Sequence, residues 1–286
     1  MKVLRSPEAM TAWSERLRRE GVTIGFVPTM GALHDGHRAL IRTARLTCDA
    51  LVVSIFVNPA QFGPKEDLAQ YPRPITRDRA LCLAEGADVC FEPAAKAMYP
   101  DGFQTTVSLP SIARRWEGEA RPHHFTGVAT VVTKLFGIVR PHVALFGQKD
   151  LQQAALVRQL VKDLHLGVQI VVRPTVREPD GLAMSSRNVY LSPHERAVAT
   201  TLYKSLRTGA AAIREGIADG QAIHAAMTRI VKKEPAMTID YLAVCDLRTL
   251  EPLSSVTSRA VLLGAVRLGS VRLIDNLVAT APTKRV

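Results

Sequence analysis

Val22-Thr23-Ile24-Gly25-Phe26-Val27, running straight into Pro28-Thr29-Met30-Gly31-Ala32-Leu33-His34-Asp35-Gly36-His37, decides the fold. An apolar run ends in a Pro-Thr-Met-Gly corner, and the chain then opens a helix. That is a strand, a sharp turn and a helix N-terminus in sixteen residues. A helix N-terminus presents unpaired N–H groups and a partial positive charge, which suits an anion such as a nucleotide phosphate. His34 and His37, three residues apart, add donors that follow charge as it develops on a leaving phosphate. Gly31 and Gly36 let the backbone turn tightly and approach a ligand. The other reading of the same residues is a pair of histidines that cap the helix.

Working outward, apolar runs alternate with helical patterns. Residues 22–28, 50–57, 88–91, 142–146 and 168–172 read as strands, and 36–48, 74–86, 124–139 and 150–163 as helices. Continuous apolar strands separated by helices predict a parallel sheet covered on both faces, with ligands at the carboxyl ends of its strands. After about residue 175 the texture changes. Helices over 192–216 and 219–233 precede strands near 238–246, 259–267 and 270–275, which predicts a small α+β domain. The expected division is 1–176 and 177–286.

Composition narrows the function. With 286 residues and 47% apolar side chains, the chain has enough material for two packed cores. No stretch approaches the roughly 20 apolar residues that span a bilayer, and the N-terminus lacks the apolar run of a signal peptide. Cys48, Cys82, Cys90 and Cys245 are scattered without a C-x-x-C pair, which points to thiols in a reducing, cytoplasmic setting. The net charge of +11 raises nucleic-acid binding, but the basic residues are dispersed and aromatics make up only 5%. A basic surface that attracts small anionic substrates fits better, with no nucleic-acid and no membrane partner expected.

Three further polar groups carry chemistry. Phe56-Val57-Asn58-Pro59-Ala60-Gln61-Phe62-Gly63-Pro64 leaves the second of these strands, and Asn58 and Gln61 offer neutral donors and acceptors for hydroxyl and carboxylate groups. Phe146-Gly147-Gln148-Lys149-Asp150-Leu151-Gln152-Gln153 follows another strand. Lys149 suits phosphate, Asp150 suits ribose hydroxyls or a helix cap, and Gln153 lies one turn into the helix. Met184-Ser185-Ser186-Arg187-Asn188 joins two hydroxyls to an arginine, an anion cradle that can close over phosphates as a lid. Each segment alone also reads as an ordinary turn or linker.

Together these motifs resemble the pantothenate synthetase (pantoate–β-alanine ligase) family, part of the HxGH nucleotidyl-transferase superfamily related to class I tRNA synthetases. The likeness runs through Pro28–His37, Phe56–Gly63, His124-Phe125-Thr126-Gly127-Val128-Ala129-Thr130-Val131-Val132, Phe146–Asp150 and Arg177–Asn188. It implies an α/β fold: a Rossmann-like parallel sheet in the N-terminal domain and a smaller α+β C-terminal lid domain. It implies condensation of (R)-pantoate with β-alanine through pantoyl adenylate, with ATP and Mg²⁺, in a cytoplasmic homodimer formed through the first domain. By motif match, Met30, Gly31, Ala32, Leu33, His34, Asp35, Gly36 and His37 would line the ATP site. Gly147, Gln148, Lys149 and Asp150 would hold ribose and phosphate, Val176 adenine through its backbone, and Met184, Ser185, Ser186 and Arg187 the triphosphate. His34, His37 and Lys149 would be catalytic. His37 is the family's assigned proton donor, although a charge-stabilising donor fits better, because pyrophosphate leaves well as its Mg²⁺ complex. Gln61 and Gln153 would grip pantoate, Gln61 would also touch β-alanine, and Asn58 and Tyr71 would lie near that pocket.

The chain departs from the family at two places. Gln148 stands where a glutamate is common. Of a frequent acidic pair after Tyr-Pro-Arg only Asp78 remains, preceded by Arg77, and it is the sole candidate metal contact on the protein. Two rivals stay open on sequence. A nucleotidyl transferase would stop at an adenylated product, and an RNA-binding relative of the synthetases would show a steep salt dependence of affinity.

Overall fold

The structure is a computed structural model that describes residues 1–64 and 66–282. It divides into two compact units, Met1–Gln148 with Gln152–Val176, and Lys149–Leu151 with Arg177–Val286.

In the first unit the order is β1 (Lys2–Leu4), α1 (Pro7–Arg19), β2 (Ile24–Thr29), α2 (Asp35–Arg45), β3 (Ala50–Ile55), α3 (Ile75–Ala84) and β4 (Val89–Phe91). Two single-turn helices follow, α4 (Ala95–Met98) and α5 (Glu117–Ala120), then α6 (His124–Val139), β5 (Val143–Gly147), α7 (Leu151–Asp163) and β6 (Gln169–Arg173). The six strands form one sheet in the order β1-β4-β3-β2-β5-β6, and every pairing is parallel. From the centre the chain builds outward through β3 and β4 on one side and through β6 on the other. The order therefore reverses between β2 and β5, and the crevice outside their carboxyl ends is where such sheets bind ligands. The motif-bearing turn after β2 and the strand β5 that leads into Gln148–Asp150 meet at that point.

Alternation along the central strands builds two cores. Ile24 and Phe26 of β2, Val52 of β3 and Ala144 and Phe146 of β5 pack with Phe125, Val132, Phe136 and Leu156 of the helices on one face. Val27, Leu51, Val53, Val143 and Leu145 pack with Leu40, Ile41, Ala44 and Cys82 on the other. Phe26 and Phe136 meet edge to face at 6.3 Å. This is the parallel sheet covered on both faces that the continuous apolar strands predict.

The second unit carries α8 (Pro193–Val198), α9 (Thr201–Arg214), α10 (Gly220–Val231), β7 (Met237–Asp246), β8 (Arg259–Leu268) and β9 (Val271–Thr280). Its strands form an antiparallel sheet in the order β7-β8-β9, with the two long helices packed over it. The helix expected over 192–216 is two helices. Ser192 and Glu195 form a capping box that starts α8, and α9 begins afresh at Thr201. The last strand runs to Thr280, five residues beyond the expected end.

Candidate active site

The turn after β2 is held from three directions. Thr29 Oγ1 donates to the Ser54 carbonyl of β3 at 2.7 Å and accepts the Gly31 N–H at 3.1 Å. Gly31 and Ala32 then take positive φ, +83° and +49°. A Cβ on Gly31 would stand 3.0 Å from Ile55 Cγ2, so the residue is confined by space as well as by φ. Ala32 has no such licence, and a left-handed alanine costs on the order of 1 kcal/mol. Asp78 of α3 secures it: its two carboxylate oxygens accept the Ala32 and Leu33 N–H groups, each at 2.8 Å. Burial raises the Asp78 carboxyl above its ordinary range, against the lowering effect of those two amides and of Arg77. Asp78 is 1% exposed and braces the turn from within.

His34 and His37 form a capping box at the start of α2. His34 Nδ1 accepts the Gly36 N–H at 3.1 Å, and His37 Nδ1 accepts the His34 N–H at 3.3 Å. The rings lie 4.1 Å apart, tilted by 45°. Backbone amides only donate, so both Nδ1 atoms are acceptors and each neutral ring carries its proton on Nε2. The capping reading of this pair is therefore correct as structure. It also fixes which nitrogen is a donor, and so leaves the ligand reading intact.

Asn58 and Gln61 sit in a short 3₁₀ turn, Pro59–Gln61, after β3. Asn58 Oδ1 accepts the Ala60 N–H (3.3 Å) and the Tyr99 hydroxyl (2.7 Å). Its Nδ2 donates to Gln61 Oε1 and to the Gly127 carbonyl, both at 3.1 Å. A backbone N–H and a backbone carbonyl fix the amide's orientation without ambiguity. All four hydrogen-bonding positions of Asn58 are spent, and it is 1% exposed. Asn58 is thus buried and orients Gln61. Because Asn58 donates to Gln61 Oε1, Gln61 Nε2 points the other way, 3.1 Å from Met30 Sδ. The structure so joins a residue of the expected ATP group to one of the expected pantoate group. Tyr71 is buried and meets Phe62 edge to face at 6.0 Å.

A second layer, absent from the expected site, fixes the backbone of Gln61. His124 Nδ1 lies 3.0 Å from the Gln61 carbonyl, and Arg121 Nη2 donates to the same oxygen at 3.3 Å. A carbonyl cannot donate, so His124 carries its proton on Nδ1 and takes a hydrogen bond from Arg121 through Nε2, at 3.2 Å. Burial, reinforced by the Arg121 charge, pushes His124 down to about 4. Arg121 grips Glu66 through two contacts of 2.7 Å. Burial pushes Glu66 up, but the Arg121 hydrogen bonds and charge outweigh it and hold the carboxyl below its usual range. Behind Gln61 stands Gly127 of α6, where a Cβ would fall 2.2 Å from the Ala60 carbonyl oxygen. His124 and Gly127 were visible only as parts of a motif; the signal that Gly127 marks a close backbone approach was there in the residue type.

After β5, Gln148–Asp150 form a 3₁₀ turn. Lys149 Nζ lies 3.6 Å from Asp150 Oδ1, and its side chain is 20% exposed. Lys149–Leu151 belong with the second unit. On α7, Gln152 is buried and committed to structure, donating to the Ile112 and Arg115 carbonyls and accepting from the Glu117 N–H. Gln153, the residue singled out from sequence, is half-buried beside it, as is Val176 beyond β6. In the second unit Met184, Ser185, Ser186 and Arg187 are half-buried, and Ser185 caps a 3₁₀ turn by accepting the Arg187 N–H at 3.3 Å. Arg177 makes a two-pronged pair with buried Asp275, at 2.6 and 2.9 Å, over the Tyr203 ring.

Among the described residues no three His, Cys, Asp or Glu side chains cluster as a metal site. No helix among them is long and apolar enough to cross a membrane.

Residues 2–278 match the family model for pantoate-beta-alanine ligase. A pantothenate synthetase of Heliobacterium modesticaldum is 50% identical over 278 residues, 97% of this chain and 99% of its own length. One of Roseiflexus castenholzii is 54% identical over 258 residues, 90% and 93% of the two chains. A solved pantothenate synthetase of Thermus thermophilus superposes with a TM-score of 0.92 at 45% identity, covering 97% of this chain and 99% of that one. A pantoate-beta-alanine ligase of Francisella tularensis, solved with beta-gamma ATP and beta-alanine, gives a TM-score of 0.79 at 35% identity over 97% of each chain.

Proposed function

The chain belongs to the pantoate–β-alanine ligase family, and from that premise we propose how its residues divide the work. It is an ATP-dependent ligase that condenses pantoate with β-alanine to pantothenate through pantoyl adenylate. A pantoate carboxylate oxygen bonds to the α-phosphorus of ATP as the bond to pyrophosphate breaks. The β-alanine nitrogen then bonds to the acyl carbon, AMP leaves with the bonding pair, and the amine gives up a proton. Neither step needs an enzyme nucleophile, so catalysis is positioning and charge stabilisation.

The observation that carries the assignment of roles is the histidine capping box where β2 leaves the sheet. In our reading His34 and His37 direct Nε2–H groups at the oxygens of the α-phosphate as charge builds there. His37 acts as a hydrogen-bond donor, because its only ring proton is the one that makes that bond. Met30 through His37 line the nucleotide, with the amides at the N-terminus of α2 adding to the field. Gly147 through Asp150 hold ribose and phosphate, and Lys149 neutralises the departing pyrophosphate. Gln61, preset by Asn58 to offer Nε2–H, donates to an oxygen of pantoate, with Gln153 as its counterpart and Tyr71 as a wall. Val176 takes adenine through its backbone, and Met184 through Arg187 of the second unit take the triphosphate. Asp78 is the one acidic side chain the sequence offers to Mg²⁺, and it is buried with an amide on each oxygen. Mg²⁺ fits as part of the ATP substrate, on its phosphates.

The surrounding facts extend the reading. Four free thiols suit the reducing cytoplasm, which fractionation checks. Association as a homodimer through the first unit is tested by sedimentation velocity, where a monomer at micromolar concentration would refute it. The net charge of +11 draws anionic substrates, not nucleic acid.

The deciding experiment measures AMP release with ATP, Mg²⁺, D-pantoate and β-alanine, omitting each in turn, with the product identified by mass spectrometry. AMP should appear only with all four, together with pantothenate. Pyrophosphate release that needs pantoate but ignores β-alanine would mean a different acceptor.

A further inference from the structure

The turn Lys149–Leu151 lies in the chain between β5 and the rest of α7, yet it belongs with the second unit. A hydrogen bond ties it there: Asn276 Nδ2 of β9 donates to the Lys149 carbonyl at 3.0 Å. Asn276 is 2% exposed, and its own backbone is pinned on both sides. Its N–H donates to Asp275 Oδ1 at 2.8 Å, and its carbonyl accepts from Arg177 Nη2 at 3.3 Å. Arg177 in turn holds both oxygens of Asp275, donates to the Gly181 carbonyl at 3.0 Å, and rests 3.9 Å from the centre of the Tyr203 ring. Thus a rigid, buried assembly ends in one side-chain amide placed on the main chain of Lys149.

We propose that Asn276 is a positioning residue for Lys149, fixing through its main-chain carbonyl the direction from which the ammonium reaches the phosphates of the nucleotide. A lysine is a compact charge on a flexible four-carbon stem, so its aim is set at the root. The root here is a three-residue 3₁₀ turn between β5 and α7, and the bond from Asn276 adds a fixed point on the carbonyl of Lys149 itself. The inference rests on the role given to Lys149 above.

The test uses full-length Asn276→Leu and Asn276→Ser beside Lys149→Ala. Two half-reactions are measured, pantoate-dependent ATP–pyrophosphate exchange and attack of β-alanine on supplied pantoyl adenylate, together with thermal melts. Lys149 serves adenylation, so Asn276→Leu should lower the exchange kcat about tenfold, the scale of a sub-ångström misplacement, and leave the amide-forming half within about twofold. Asn276→Ser keeps a shorter donor, should fold even where the leucine variant does not, and should show the same split with a smaller loss. Equal losses in both halves would make Asn276 merely structural and overturn the proposal. So would undiminished exchange in the Asn276 variants beside a crippled Lys149→Ala, which would leave the role of Lys149 standing. Full exchange in Lys149→Ala would remove that role and the proposal with it.

Discussion

His34 caps α2 through Nδ1, and the donor role we propose for its Nε2 is separable from that cap by substitution. His34→Ala loses the acceptor for the Gly36 N–H and should cost about 1 kcal/mol of stability, the usual worth of an N-cap. It should also lower pantoate-dependent pyrophosphate exchange by about 100-fold or more, as removal of a charge-stabilising donor does. His34→Asn keeps a capping oxygen and lacks the Nε2 donor. It should recover most of the stability in a thermal melt and little of the exchange; full recovery of both would make the histidine a cap and nothing more. The sequence placed these histidines at a helix start but offered capping and ligand binding as alternatives. The structure shows the cap, made through Nδ1, and our proposal gives the ligand the other nitrogen, Nε2. Asn58 and Gln61 show the opposite limit. Two polar residues three apart look equivalent in the chain, and what separates them is far away: the Gly127 carbonyl 69 residues on and the Tyr99 hydroxyl 41 residues on. No local reading shows that the one is used up holding the other.

Between elements, the decisive contact is the turn Pro59–Gln61 against α6. The turn lies so close that any side chain at 127 would collide with backbone, at 2.2 Å from the Ala60 oxygen and 2.6 Å from Gln61 Cα. Backbone cannot rotate away as a side chain can. Gly127→Ala should therefore destabilise the protein by about 1–3 kcal/mol and push Gln61 out of place. Steady-state kinetics should show a pantoate KM raised more than the ATP KM; unchanged values for both, with an unchanged melt, would mean that the turn yields freely. The β–α alternation around this contact was legible because buried parallel strands are continuous apolar runs, as Ala50–Ile55 and Val143–Gly147 are. The edges were not. β1 is three residues long, and α1 is a charged helix with only Met10 and Ser14 buried, although Ser6 and Pro7 mark its start. The short helix α5 has a tertiary anchor in Gln152, whose side-chain oxygen accepts the Glu117 N–H from 35 residues away.

At the scale of the whole molecule, stability should decline in mild acid through His124. The folded state holds this ring neutral until about pH 4, whereas an unfolded histidine takes up its proton near 6.5. Between those values the unfolded chain binds more protons, so stability falls as pH drops from about 6.5 to 4, by up to about 3 kcal/mol, and has no such slope above 7. Melts of the parent and of His124→Gln over that range should show a shallower decline in the variant; parallel curves would place the titration elsewhere. The division into two units, too, has a temporal side. Lys149 and Asn276 are separated by 127 residues, which a ribosome adds in about 6–25 s. The Lys149 carbonyl of a growing chain therefore has no Asn276 amide to meet until the last strand is synthesised. On our proposal, the aim of Lys149 is therefore set only once β9, the last element of the chain described, has been made.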